Sequence, residues 1–218
     1  MSVSRETVAP ANLPPMSVEQ FTKTLAVSRE TVERLKLYAD LLVKWQAKIN
    51  LVGPATLPDL WRRHMLDSAQ MAQHMPEGPV LDLGSGAGFP GLVLAIMRGG
   101  PVHLVESDSR KCAFLREVAR ITGADAIIHN KRIEAIEPFP VAAVTARALA
   151  SLDKLLEWAA PFLQQRTQCL FLKGKNVDEE LTQAGENWNM AARRVPSLSD
   201  PSGLILILSE VHRGPDER

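Results

Sequence analysis

Cysteine is scarce: Cys112 and Cys169 are the only two in 218 residues, far apart and without the spacing of metal ligands. A disulfide-stapled or zinc-bound scaffold is thereby excluded, and a reducing cytoplasm is the expected compartment. Five histidines are scattered without a partner pattern, so no metal is expected. Long apolar runs are missing too. The longest, such as Gly91 to Met97 and Leu204 to Leu208, fall well short of the roughly eighteen residues a membrane helix needs, so a soluble protein with no membrane partner is expected. The opening stretch, MSVSRETVAPANLPP, carries an early acid and three prolines where a secretory signal needs continuous apolar sequence. It reads as a flexible tail over residues 1–15 and argues against export. Neither charge is in excess, because 25 Lys and Arg balance 25 Asp and Glu. A polyanionic partner therefore has to be held by a local patch.

What is present is enough for one well-buried core, with 45% hydrophobic residues. VSRETV occurs at residues 3 and 27, but nothing else recurs at that period, so a repeat fold is not indicated. Ser17 with Gln20 makes a capping box for a short helix. Ser28 caps a longer one, in which Leu35, Leu42 and Ile49 share a face. A third helix is predicted over Leu57 to His74. These segments form a helical extension over residues 16–76. From Val80 the pattern changes: VLDLG, VHLVE, AIIHN, VAAVT and QCLFL alternate with helical stretches such as Arg110 to Thr122 and Leu152 to Phe162. Alternation of this kind predicts a mostly parallel sheet covered on both faces, within a second unit over residues 77–218. Asn189 to Val195 and Leu204 to Val211 are strand-like with only a turn between them, which predicts an antiparallel edge hairpin.

Gly86, Gly88 and Gly91 fit the dinucleotide fingerprint, a weak match taken alone. Asp82 tips the balance, because the first strand delivers its carboxylate to the mouth of the loop. Two charges about 4 Å apart interact by about 4 kcal/mol at an effective dielectric near 20, so a carboxylate facing a pyrophosphate is costly. The same carboxylate suits a cation. S-adenosylmethionine fits, with a sulfonium, an ammonium and no phosphates. Gly84, Gly86 and Gly88 then permit close backbone approach, Phe89 offers an apolar wall, and Pro90 suits a helix start. Glu106, followed by Ser107, stands at the end of the second strand, where an acid accepts both hydroxyls of a ribose. Ile133 and Glu134, after the third strand, are candidates to frame an adenine.

The acceptor of the methyl group can be narrowed. An Asn/Asp-Pro-Pro-aromatic run, usual in enzymes that methylate exocyclic amines, is replaced here by TARALASL. Carbon-directed pyrimidine enzymes need a thiolate, whereas Cys112 and Cys169 fall in a helix and a buried strand. What remains is an acceptor with its own lone pair, such as guanine N7, or one whose proton is easily lost; with N7 no proton leaves, and catalysis is largely alignment.

The motifs WQAKINL, RHMLDS, DLGSGAGFPG, ESDSRKCAFL, ARALASL and LKGK run from about Leu41 to Val211. Through them the chain closely resembles the bacterial small-subunit ribosomal RNA guanine-N7 methyltransferases, the RsmG or GidB family. The resemblance implies a Rossmann-like class I methyltransferase with a seven-stranded sheet. It also implies S-adenosylmethionine as donor and, as target, N7 of guanine 527 in the 530 loop of 16S rRNA, within the small ribosomal subunit or its precursor. By motif position Gly84, Phe89, Ile133, Glu134 and Arg147 contact or frame the donor. Gln46, Val52 and Glu106 depart from the residues usual at their positions. Arg147 is expected to pair with the donor's carboxylate or an RNA phosphate, or to stack on a base. His64, Asp67 and Ser68 share a helical face near the cleft and are candidates for substrate binding or for bracing the glycine loop. Of the basic clusters, Arg110, Lys111 and Lys173 lie nearest strand ends and rank highest as phosphate contacts. Arg62/Arg63, Lys131/Arg132 and Lys175 rank lower. The competing readings are methylation of a small molecule or protein, and a non-catalytic S-adenosylmethionine-binding regulator.

Overall fold

The computed structural model describes residues 13–214, so residues 1–12 of the expected tail lie outside it. Seven strands form one sheet in the order β3-β2-β1-β4-β5-β7-β6. They are β1 Val80–Leu83, β2 Val102–Val105, β3 Ala126–His129, β4 Ala143–Arg147, β5 Gln168–Lys173, β6 Trp188–Pro196 and β7 Leu204–Arg213. The first five run parallel, and β7 is antiparallel to both β5 and β6. This is the Rossmann-like, mostly parallel sheet with an edge hairpin that the alternating sequence predicts. The order reverses between β1 and β4, which opens a crevice at their C-terminal ends where open α/β sheets bind ligands.

Helices α1 Val18–Leu25, α2 Arg29–Gln46, α4 Gly91–Met97 and α5 Ser109–Thr122 share one apolar cluster with Val80, Leu104, Leu170 and Ile205. Helices α6 Leu152–Ala159 and α7 Val177–Ala184 cover the other face, against Leu81, Leu83, Val144 and Phe171. Along β1 the side chains alternate between the two clusters, as the period of two in a strand requires. Asp82 is therefore turned with Val80 beneath α4.

Both predicted caps form. Ser17 and Gln20 close their box, and Ser28 Oγ accepts from Thr31 N–H. Helix α2 stops at Gln46, so Ile49 lies beyond it. The predicted helix Leu57 to His74 is not regular: it comprises a 3-10 turn Pro54–Asp59, a π-helical turn Trp61–Leu66, a single α-turn α3 Asp67–Ala69 and a 3-10 turn Ala72–His74. Pro58 lacks the N–H that a regular helix needs there. Helix α7 carries Val177, Leu181 and Ala184 at helical spacing in VDEELTQA, a pattern the strand-by-strand reading passes over.

Arg34 fastens α2 to the sheet layer. Its guanidinium donates to the carbonyls of Thr122 (2.6 Å), Ile96 (3.2 Å) and Gly123 (3.0 Å), which sit at the C-terminal ends of α5 and α4. A cation there satisfies orphan carbonyls and opposes both helix dipoles. Arg34→Ala is expected to cost about 2–4 kcal/mol of stability, read as a lower urea midpoint with an unchanged slope.

Candidate functional site

The crevice is built from the turn after β1, the ends of β2 and β4, and the irregular segment 54–74. Asp82 is fully buried and does not reach the mouth of the loop. One carboxylate oxygen accepts from Thr145 Oγ1 at 2.8 Å, the other from Gly91 N–H at 3.3 Å. In place of a carboxylate at the loop mouth, expected to hold a cation directly or through water, the structure shows a buried brace. One backbone N–H at the start of α4 is thereby taken. Burial pushes the Asp82 carboxyl up to about 6, against the pull of these hydrogen bonds and of the Arg147 charge.

The loop glycines have different neighbours. A Cβ on Gly84 would collide with Leu149, and one on Gly88 with Leu92 and Tyr38, whereas Gly86 has only the Gly84 carbonyl, 3.8 Å away. Gly86 thus leaves open space that a ligand can fill. Its N–H donates to Glu106 Oε2 at 3.0 Å, while Glu106 Oε1 accepts from Asp108 N–H at 2.7 Å. The acid at the end of β2 and the open glycine are thereby joined, and carboxylate lone pairs remain for a ribose diol. Ser107 is exposed beside them. Ile133 and Glu134 form a 3-10 turn, where Glu134 accepts from Trp158 Nε1 at 2.9 Å. Phe89 is buried instead of forming an exposed wall: Tyr38 and His64 both stack on it, at centroid distances of 5.1 and 4.9 Å.

Arg147 ends β4, just beyond the VAAVT run that marks the strand in the sequence. Its guanidinium donates to the Arg63 carbonyl (3.1 Å), Asp67 Oδ2 (3.3 Å) and His64 Nδ1 (3.0 Å), and lies over the Phe89 ring. Arginine only donates, so His64 Nδ1 accepts and its proton sits on Nε2. That N–H meets Thr56 Oγ1 at 2.7 Å, and the threonine hydroxyl donates to the Gly53 carbonyl. Asp67 Oδ1 accepts from Ser199 Oγ at 2.6 Å. The π-turn, in which Asp67 N–H bonds Arg62 O, brings His64 and Asp67 together on Arg147 but not Ser68. Ser68 is fully buried, its Oγ without a hydrogen-bond partner among the described residues, which removes it from the expected substrate surface. Ala148 follows with φ 49°, a left-handed residue that turns the chain so that Leu149 meets Gly84.

Burial, with the Arg147 and Arg63 charges, drops His64 to about 2. Its folded value lies below its unfolded one, so stability is full above about pH 6.5 and is lost as pH falls, by about 1.4 kcal/mol per unit. Asp82 acts oppositely: its raised value makes the folded state take up a proton between about 6 and 3.8, which adds stability there. In urea titrations from about pH 7.5 to about pH 5, His64→Gln is expected to flatten the acid loss and Asp82→Asn to steepen it.

The basic candidates separate. Arg110 is exposed, with Asp108 3.6 Å away, and Lys111 is half-buried on the same turn. Lys173 is buried: its ammonium donates to Glu180 (2.6 Å) and the Ala150 carbonyl (3.1 Å), and Glu180 also accepts from Leu152 N–H. The expected phosphate contact is thus corrected to an internal tie that fixes the loop after β4. Cys112 donates to the Glu106 carbonyl, and burial raises its thiol. Burial pushes Cys169 up to about 12, so both cysteines are held as thiols. Among the described residues no cluster of three or more His, Cys, Asp or Glu suits a metal, and no helix is long and apolar enough to cross a membrane. Tyr38, Thr56, Thr145 and Ser199 are invisible as site residues in the sequence, because each acts through a hydrogen bond to another element of the fold.

Residues 31–203 match the family described as rRNA small subunit methyltransferase G. The chain is 61% identical over 201 residues to the ribosomal RNA small subunit methyltransferase G of Paramagnetospirillum magneticum, covering 91% of this chain and 98% of that one. It is 56% identical over 200 residues to the protein of the same name from Rhodospirillum rubrum, covering 91% and 100%. In fold it is similar to a mutant of MtNAS in complex with S-adenosylmethionine, with TM-score 0.54, 13% identity and coverage of 89% and 84%. It is also similar to M. jannaschii TYW2 in complex with AdoMet, with TM-score 0.54, 16% identity and coverage of 77% and 80%.

Proposed function

Because the chain belongs to the rRNA small subunit methyltransferase G family, we propose that it is an S-adenosylmethionine-dependent enzyme of the cytoplasm that methylates N7 of guanine 527 in the 530 loop of 16S rRNA. S-adenosylmethionine supplies an electrophilic methyl group on a sulfonium. The residues present fit that donor: Gly86 leaves open room, Glu106 offers a carboxylate to a ribose, and Ile133 and Glu134, on a turn after β3, are the candidates to frame the adenine. Arg147 has five N–H donors and spends three on Arg63, Asp67 and His64, which leaves two for an anionic group. A donor carboxylate or an RNA phosphate fits that fork.

The observation that supports N7 is that the nearby bases are engaged in structural hydrogen bonds. His64 has Nδ1 taken by Arg147 and Nε2 by Thr56, and Asp67 has one oxygen on Ser199 and the other on Arg147. With both cysteines held as thiols, no thiolate is on hand beside Arg147, and the imidazole and carboxylate next to it are already engaged in hydrogen bonds. Guanine N7 needs neither a thiolate nor a base, since its in-plane lone pair attacks without losing a proton. The chain's task reduces to holding donor and base in line. N7 lies on the major-groove edge, which A-form RNA encloses, so the target guanine has to be unpaired or flipped out.

The test is incubation with labelled donor and small subunits from a strain lacking the modification, followed by mapping of the labelled nucleotide. Label on N7 of a single 530-loop guanine is expected. Label elsewhere in rRNA sinks the N7 assignment. Label in metabolites or protein, or donor binding without release of S-adenosylhomocysteine, sinks rRNA methylation itself. With zero net charge, the enzyme is expected to prefer assembled subunits; equal methylation of protein-free 16S rRNA would refute that preference.

A further inference from the structure

Helix α2 carries a feature that the donor site and the Arg147 cluster leave unused. Leu41, Lys44, Trp45 and Lys48 line a groove of about 320 Å³ along its C-terminal half and the turn that follows. The end of α2 that bears this groove is the end nearest the crevice. Arg34, three turns earlier, meets the C-terminal ends of α4 and α5. Tyr38, one turn on, donates to the Ala87 carbonyl in the glycine loop. Trp45 packs on Phe114, in the second turn of α5, with ring centroids 5.6 Å apart. The groove therefore opens at the rim of the crevice, on the side of Lys111, which precedes Phe114 by one turn of α5.

The groove's surface is apolar, made by Leu41, the Trp45 ring and the alkyl stems of Lys44 and Lys48, with the two ammonium groups at its edge. One edge of the Trp45 indole is fixed by Phe114 while the ring stays half-exposed, and no acceptor among the described residues takes its Nε1 hydrogen. Lys44 and Lys48 are exposed, one turn apart, and neither forms an ion pair among the described residues. By contrast Lys36, earlier on the same helix, is paired with Glu33. A partly exposed aromatic ring braced on one side and flanked by two ammonium groups is a composition that holds single-stranded nucleic acid: bases stack on the ring and phosphates follow the charges. In a chain with no net charge, such a local patch is what a polyanion has to use.

We propose that this groove binds an unpaired stretch of rRNA flanking the target guanine, one base stacking on Trp45 and the adjoining phosphates lying on Lys44 and Lys48. The inference rests on the rRNA methyltransferase reading above. It makes α2 a substrate-positioning element as well as a cover for the sheet.

The test uses the full chain and unmodified small subunits, with steady-state methyl transfer as readout. Lys44→Glu/Lys48→Glu, at exposed positions, is expected to raise KM for subunits about tenfold or more and to leave kcat within about twofold. The dependence of log kcat/KM on log salt should become shallower by about 1.4, for two single-strand phosphates lost. Trp45→Ala should raise KM about tenfold, while Trp45→Phe restores most of it. Arg166→Glu, an exposed reversal just before β5 and far from the crevice, should change neither constant. Donor affinity and melting temperature, measured alongside, should stay at wild-type values in the lysine variant. Wild-type transfer with an unchanged KM in the lysine or the Trp45→Ala variant overturns the groove, as does an equal rise in Arg166→Glu. Absence of wild-type transfer into rRNA overturns the underlying function and the groove with it.

Discussion

Arg147→Ala is expected to lower methyl transfer into unmodified small subunits by about 100-fold or more, in a protein that still folds. The guanidinium stands at the end of β4, locked by three hydrogen bonds and laid over Phe89, with two donors to spare. A group so constrained loses little freedom when an anion arrives, which is why its removal should register on the reacting geometry. Folding survives because Asp67 keeps Ser199 and Gln70 as donors. The cost to stability is about 1–2 kcal/mol, below that of stripping a fully buried carboxylate of its partner. Arg147→Lys should fail almost as badly, since an ammonium cannot serve His64, Asp67 and a ligand through one rigid fork. Single-turnover transfer at saturating donor, beside a urea melt, separates the two effects. Wild-type transfer in Arg147→Ala would show that the cluster is architecture alone.

The second large effect separates the roles of two glycines in the same loop. Gly88 has φ 95°, and a Cβ there would stand 2.6 Å from Leu92 Cδ1 and 2.8 Å from Tyr38 Oη. Gly88→Ala therefore combines backbone strain of about 1–2 kcal/mol with overpacking of about 1–3 kcal/mol against fully buried neighbours. A loss of about 2–5 kcal/mol removes much of a typical domain's margin, so poor soluble yield and a lowered midpoint are expected. Gly86 has φ 56° and free space. Gly86→Ala should cost only the strain, about 1–2 kcal/mol, yet weaken donor binding by about tenfold or more, because the added methyl enters the space assigned to the ligand. Calorimetric titration with S-adenosylhomocysteine checks this. Equal donor affinity in Gly86→Ala would move the ligand away from that face.

Much of the site is legible in the sequence, though not always in the right role. The glycine spacing and Glu106 identify each other as neighbours, since a strand, a tight turn and the acid of the next strand are brought together by local rules of α/β architecture. Asp82 stands out by its position, but position does not give its direction: alternation along β1 sends it beneath α4, where its carboxylate braces the turn. Lys173 has the same fate, as nothing in LKGK reveals that Glu180 will meet it from α7. The RHMLDS segment reads as a regular helix. Its π-turn, which decides that His64 and Asp67 reach Arg147 while Ser68 is buried, has no period of its own to find.

By itself the amino-acid order determined the alternation that makes the sheet, the caps on α1 and α2, the glycine turn and the family resemblance, because each is written in residues close together along the chain. Only the tertiary structure decided which charges are spent inside and which are left for a ligand. That outcome turns on donors and acceptors distant in sequence, Arg147 with Asp67 and His64, and Tyr38 with the glycine loop, whose pairing depends on distances and angles that no linear pattern encodes.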